Sequence, residues 1–187
     1  MKMEDLKYTI GGLMLAVDSY FYDDFIYFWK HDEEKGRVTK ACLSQWYPST
    51  FVVDGVTYNC AEQYMMAEKS RIFGDEEIRA KILASSDPSA IKKLGRLVNN
   101  FDAEVWDEKC IEVVYYGNLH KFGQNKKMKD YLLSTGKSTF VEASPYDKVW
   151  GVGKSAEAKD INIPHLWKGE NRLGFILMEV RERLLAK

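Results

Sequence analysis

Phe51-Val52-Val53-Asp54-Gly55-Val56-Thr57-Tyr58 runs directly into Asn59-Cys60-Ala61-Glu62-Gln63-Tyr64-Met65-Met66-Ala67-Glu68-Lys69. β-Branched and aromatic residues flank the Asp54-Gly55 pair, which predicts a hairpin with a tight turn. Asn59 is a candidate N-cap with Glu62 three residues on, so a helix is expected to start at once. A hairpin abutting a helix points to an α+β chain. Within that helix, Glu62 and Lys69 lie seven residues apart, almost two turns, and leave one face about 10 Å apart along the axis. An acid and an amine on one face can grip a polar ligand. A plainer account fits the same spacing: Glu62 caps the helix and meets its positive dipole end, while Lys69 is solvated.

On the N-terminal side, Ile26–Trp29 reads as a short strand and residues 33–40 as a charged loop or hairpin tip. Leu6, Ile10, Leu13, Leu15 and Val17 mix helical and strand spacing. Residues 1–26 are therefore expected to be an accessory segment ahead of a domain over 27–187. On the C-terminal side, one helix is expected over Asp75–Ala84, and Asp87-Pro88 opens another with proline at the first helical position. Asp102 starts a long helix whose stripe is Val105, Trp106, Cys110, Val113, Val114 and Leu119, with Gly123 at its end. A shorter helix follows over Asn125–Leu133, then a strand over Ser138–Ala143. Leu173, Ile176, Leu177, Val180 and Leu184 mark a C-terminal helix. There is no Pro/Gly-rich linker and no repeat. The expectation is a single, predominantly helical α+β domain with a small β-sheet or hairpins.

A chain of 187 residues, 45% hydrophobic, is large enough for one real core. Its 27 Lys and Arg against 28 Asp and Glu give a net charge of -1. That balance lacks the basic surplus of non-specific nucleic-acid binders but leaves room for a local basic patch. Cys42, Cys60 and Cys110 form no Cys-x-x-Cys pair, which fits a reducing cytoplasm. Cys60, beside Glu62, reads either as a reactive thiol or as a small buried hydrophobe. His31, His120 and His165 lack the helical spacing of a zinc site, so no metal is expected. The run Ile10–Val17 is too short to cross a bilayer and no cleavage signal follows it, so no membrane span is expected.

Three further segments carry more polar and aromatic detail than packing requires. In Leu43-Ser44-Gln45-Trp46-Tyr47-Pro48, Trp46 and Tyr47 can wall a base, or can simply anchor a loop. In Leu94-Gly95-Arg96, a glycine admits close backbone approach beside an arginine suited to phosphate. Asp147-Lys148-Val149-Trp150-Gly151-Val152-Gly153 and Gly169-Glu170-Asn171-Arg172-Leu173-Gly174 are glycine-punctuated loops able to wrap a phosphorylated sugar. Gly151-x-Gly153 is neither a Rossmann nor a P-loop signature.

Taken in order, these segments resemble the YbiA-like, or NADAR, family. The resemblance covers about Tyr27 to Leu184 and also draws on Trp106, Leu177-Met178 and Arg181. It implies a YbiA-like α+β fold and N-glycosidase chemistry on ribosyl compounds, with no cofactor. The implied substrates are phosphorylated ribosylamino-pyrimidines of riboflavin synthesis, or ADP-ribose on nucleobases, notably guanine, with ADP-ribosylated DNA as a further partner. The resemblance implies catalytic roles for Glu62, Lys69 and Asp147. Beside them Trp46, Tyr47, Arg96, Trp150, Gly151, Gly153 and Asn171 are expected to bind substrate. The chain departs from a common family form at Gln45, Gln63 and Met66. The rival expectation is a module that binds ADP-ribose or NAD-like ligands through Arg96, Trp150 and the loop glycines without cleaving them.

Overall fold

The computed structural model describes residues 1–18, 24–32 and 36–186. Among them are seven α-helices and four short strands. A 3-10 turn at Met3–Asp5 leads into α1 (Ile10–Asp18), and β1 (Phe25–Phe28) follows. Of the charged stretch expected to loop, 33–35 lie outside the described residues, and its end, Lys40, opens a 3-10 turn over Lys40–Leu43. Then come β2 (Phe51–Val53), β3 (Val56–Tyr58), α2 (Ala61–Ile72), α3 (Glu76–Ala84) and α4 (Pro88–Arg96). The chain closes with α5 (Ala103–Gln124), α6 (Lys126–Ser134), β4 (Thr139–Glu142) and α7 (Arg172–Leu185).

The hairpin forms as its sequence predicts. β2 and β3 pair antiparallel, Phe51 opposite Tyr58, and the turn residues Asp54 and Gly55 hold φ of 48° and 80°. Positive φ at both central residues matches the twist of the flanking strands, which is why Asp-Gly serves here. The hairpin's buried face carries Phe51 and Tyr58, and Tyr64 of α2 meets both, with centroids 6.1 and 5.0 Å away. The hairpin is thereby fastened to the helix that follows it.

That helix starts one residue later than expected. Its N-cap is Cys60, whose Sγ accepts from Gln63 N, while Gln63 Oε1 accepts from Asn59 N at 2.8 Å. The N3 position therefore belongs to Gln63, and Glu62 is not part of a capping box. Gln63 Nε2 also donates to the carbonyls of Ile82, Leu83 and Ser85 at the end of α3. One buried amide thus satisfies orphan backbone groups of two helix ends. Asp75, Asp87 and Asp102 cap α3, α4 and α5 through their carboxylates.

Both strands of the other sheet were read from the sequence, at Ile26–Trp29 and Ser138–Ala143, but their pairing was not. β1 and β4 pair in parallel, Phe25 with Thr139 through Phe28 with Glu142. α7 packs its apolar face on α5 and β4, burying Leu173, Ile176, Leu177 and Val180 with Phe140 and Ile111 in one core. Leu6 and Leu13 join that core, and Glu179 and Glu182 of α7 accept hydrogen bonds from Lys7 and Tyr8. Cys42, Cys60 and Cys110 are all buried, and burial raises their thiol pKa values, that of Cys42 to about 11. That is the buried-hydrophobe reading of Cys60. No helix among the described residues is long and apolar enough to cross a membrane.

Candidate active site

Four pieces of chain, joined by Trp29 and Leu173, enclose a cavity of about 610 Å³. The Ser44–Trp46 loop and the α2 face bearing Glu62, Met65, Met66 and Lys69 form two walls. The C-terminal turn of α4, with Lys92, Gly95 and Arg96, forms a third. The end of β4 and the loop after it complete it with Glu142, Ser144, Tyr146, Asp147 and Trp150. Glu62, Lys69, Asp147, Trp46, Arg96 and Trp150 are thus brought together from segments far apart in sequence.

α2 is fixed by its neighbours. Glu62 N donates to Gln45 O at 3.0 Å, which locks the Trp46 loop to the helix start. That loop is held from behind: Asn118 Nδ2 donates to Gln45 Oε1 at 2.8 Å, and the buried Lys121 Nζ donates to Ser44 O at 2.7 Å. Asn118 Nδ2 also donates to Val114 O. Among the described residues, Gln45 Nε2 has no hydrogen-bond partner, nor has Glu142 Oε2.

Lys69 sits in an aromatic recess. Its Nζ donates to Gly95 O at 2.8 Å and lies 4.1 Å from the centroid of Phe101 and 5.9 Å from that of Trp106. Burial pulls its pKa below the ordinary lysine value. Gly95 suits this: a Cβ there would overlap Met66 Sδ, so with Met66 placed as it is a glycine lets α4 lie so close and offer its carbonyl. An amine with an easily lost proton is the form needed for attack on carbon.

The carboxyls are electrostatically uneven. Burial raises Glu62 to about 7; the Lys92 ammonium opposes that rise and the Asp147 carboxylate adds to it. Burial raises Glu142 to about 8, and Asp147 and Glu62 add to it. Near neutral pH both thus hold protons that ordinary glutamates have lost, as a proton donor requires. Asp147 is positioned by its own loop, Oδ1 accepting from Val149 N at 2.9 Å and Trp150 N at 2.8 Å.

Four expected binding residues do not line the cavity. Tyr47 is buried in the core. Asn171 is fully buried: Oδ1 accepts from Glu142 N at 3.0 Å and Nδ2 donates to Phe140 O at 2.9 Å. Its polar atoms clip β4 to the start of α7, and its burial keeps them from the cavity. Gly151 is pressed against backbone, since a Cβ would stand 2.8 Å from Glu142 O. Gly153 holds φ of 65° and donates its N–H to Asp147 O, closing the loop. Conversely, the sequence reading missed Glu142, Lys92 and Phe101. Lys92 carried a signal, the i,i+4 spacing with Arg96. Glu142 carried only a carboxylate closing an apolar strand.

Comparison with known proteins adds to this geometry. The NADAR domain family model matches residues 27–185. N-glycosidase R617 of Acanthamoeba polyphaga mimivirus is 42% identical over 166 residues, 86% of this chain and 96% of that protein. A riboflavin biosynthesis protein of Vibrio vulnificus is 31% identical over 179 residues, 96% of this chain but 44% of that longer protein. The solution structure of Escherichia coli YbiA superposes with a TM-score of 0.71 at 29% identity, covering 88% of this chain and 86% of YbiA.

Proposed function

The chain belongs to the NADAR domain family, and from that premise we propose that it is an N-glycosidase, a hydrolase of N-glycosyl compounds. Its substrates are phosphorylated ribosylamino-pyrimidines of riboflavin synthesis or ADP-ribosylated nucleobases, guanine in DNA included. One observation carries the reading: Glu62 and Lys69 stand on one helix face in a single cavity, where burial raises the carboxyl pKa to about 7 and lowers that of the amine. Residues 1–26 lie outside the family region, and we assign them an accessory role. We place the protein in the cytoplasm.

As the C1′–N bond breaks, Glu62 gives its proton to the departing nitrogen, and C1′ gains oxocarbenium character. The neutral Lys69 amine attacks C1′, forming a C–N bond; one amine proton returns to the Glu62 carboxylate, the other passes to the ring oxygen O4′ as the C1′–O4′ bond breaks, and an open-chain imine remains. Water then adds to that imine carbon, the C–N bond to Lys69 breaks, and the ribosyl product leaves with a free anomeric centre. The Asp147 carboxylate steadies the transient positive charge. Arg96 and Lys92, on one face of α4, take the phosphate, and Trp46 and Trp150 cover the base or sugar.

A borohydride trap tests the covalent step. With ribosylated substrate and reductant, wild type is expected to gain mass at Lys69, and Lys69→Ala to lose turnover. Full turnover by Lys69→Ala would overturn the imine and leave direct attack by water assisted by Glu62. Binding without product in wild type, for both substrate classes, would select the non-catalytic ADP-ribose-binding reading.

A further inference from the structure

Because β1 and β4 run in parallel, their C-terminal ends open on the same side of the molecule. The catalytic cavity lies at that opening, and a second cavity of about 660 Å³ lies beside it. Trp29, the first residue after β1, lines both and forms the ridge between them. The second cavity has Tyr27 on one wall and Lys30, Arg37 and Lys40 around it, three cations against the carboxylates of Asp32 and Glu157. Lys30, Arg37 and Lys40 are exposed, and none forms an ion pair among the described residues. The Glu157 carboxyl is held below its ordinary pKa, first by the Ser155 hydroxyl and also by the fields of Lys30 and Lys40. Both lysines line the cavity beside Glu157.

The ridge carries aromatic surface with no core to serve. Tyr146 is 85% and Trp29 38% exposed, with ring centroids 6.0 Å apart. Exposed rings beside a row of cations suit a ligand with a flat π-face and phosphate charge. A compact ribosyl phosphate seated in the catalytic cavity has no second group to place on this shelf.

We propose that the Lys30–Arg37–Lys40 shelf is a second subsite, which takes the phosphate-bearing, stackable flank of an extended substrate, a nucleoside joined through phosphate to the ribosyl unit being cleaved. The inference rests on the N-glycosidase reading for its catalytic arm and stands apart from it for binding. The flank can be the nucleotide portion of a small molecule or the adjoining nucleotides of a strand. Both present the same chemistry.

The test uses the Lys30→Glu/Lys40→Glu double variant of the full chain, both positions being exposed and outside the catalytic cavity. Three substrates are compared: a ribosylamine monophosphate, an ADP-ribosylated guanine nucleotide, and the same adduct within a short single strand. The KM of the second substrate is expected to rise about tenfold in the variant, with kcat kept and the first substrate unaffected. A further rise on the strand, abolished by salt, assigns the shelf to strand phosphates; an equal rise assigns it to the nucleotide portion. An equal change on all three substrates, or none on the second, overturns the proposal. In parallel, ADP is titrated against tryptophan fluorescence. If wild type cleaves nothing yet binds ADP more tightly than the variant, the glycosidase reading fails and the subsite stands. Equal ADP affinity in the two proteins overturns the subsite whatever the turnover.

Discussion

Glu62 and Gln63 are neighbours with opposite duties. Gln63 has every side-chain polar atom bonded to backbone, across the start of α2 and the end of α3. Gln63→Ala strands those buried groups, and stability measured by urea unfolding is expected to fall by about 3 kcal/mol. Glu62 has no such duty. Glu62→Gln is expected to fold as well as wild type and, at pH 8, to be no less stable, because the ionised side chain is the form that burial disfavours. Its turnover is expected to fall about 100-fold or more; wild-type turnover in this variant would assign the proton transfer elsewhere. The sequence showed the helix but misplaced its cap by one residue. A cysteine is a weak acceptor, so Asn59 looked the better cap, and that shift handed Glu62 the role that Gln63 performs.

At the scale of elements, the decisive contact is α2 against α4. Gly95→Ala drives a methyl into Met66 Sδ, separating the helices and withdrawing the carbonyl that holds Lys69. A loss of about 1–3 kcal/mol is expected, together with a loss of turnover. Adding Met66→Ala should return part of the stability lost to Gly95→Ala, because it opens the space the new methyl needs. A double-mutant cycle by thermal denaturation measures that coupling; strict additivity would refute the steric account. The helices were readable in the sequence because Asp75, Asp87 and Asp102 announce their starts. The β1–β4 pairing was not, since two four-residue strands leave no mark of which partner each takes. For the same reason Asn171 looked free for a ligand: only the fold brings β4 close enough to occupy both ends of its amide.

Across the whole molecule, the buried ionisable groups give stability a characteristic pH dependence. Glu62 and Glu142 have folded pKa values of about 7 and 8, raised from 4.5. Between pH 4.5 and 8 the folded state holds protons that the unfolded state has lost, so their contribution falls as pH rises. Lys121 is lowered by burial from 10.5 to about 8, opposed by the Cys42 and Cys60 thiols. Between pH 8 and 9, below the range where the raised thiols of Cys42, Cys60 and Cys110 act in the opposite sense, the unfolded state holds the extra proton, and that contribution rises with pH. Melting temperatures across this range should show both limbs, with Glu142→Gln flattening the lower one and Lys121→Met the upper. Parallel curves for wild type and Glu142→Gln would contradict the burial assigned to that carboxyl.

The parallel ladder also has a bearing on the order in which the molecule assembles. Its first pair, Phe25 and Thr139, is separated by 114 positions, whereas α2, α3 and α4 meet as near neighbours in the chain. Contacts between near neighbours close quickly, and those across long loops close late. Glu142 ends β4 and Trp29 follows β1, so the walls that turn an acid–amine helix face into an enclosed cavity are raised last. A chain still emerging during synthesis carries Glu62 and Lys69 long before it has β4 to enclose them. The fold thereby ties reactivity to completion, and a half-made chain has no enclosed chamber in which to break a glycosidic bond.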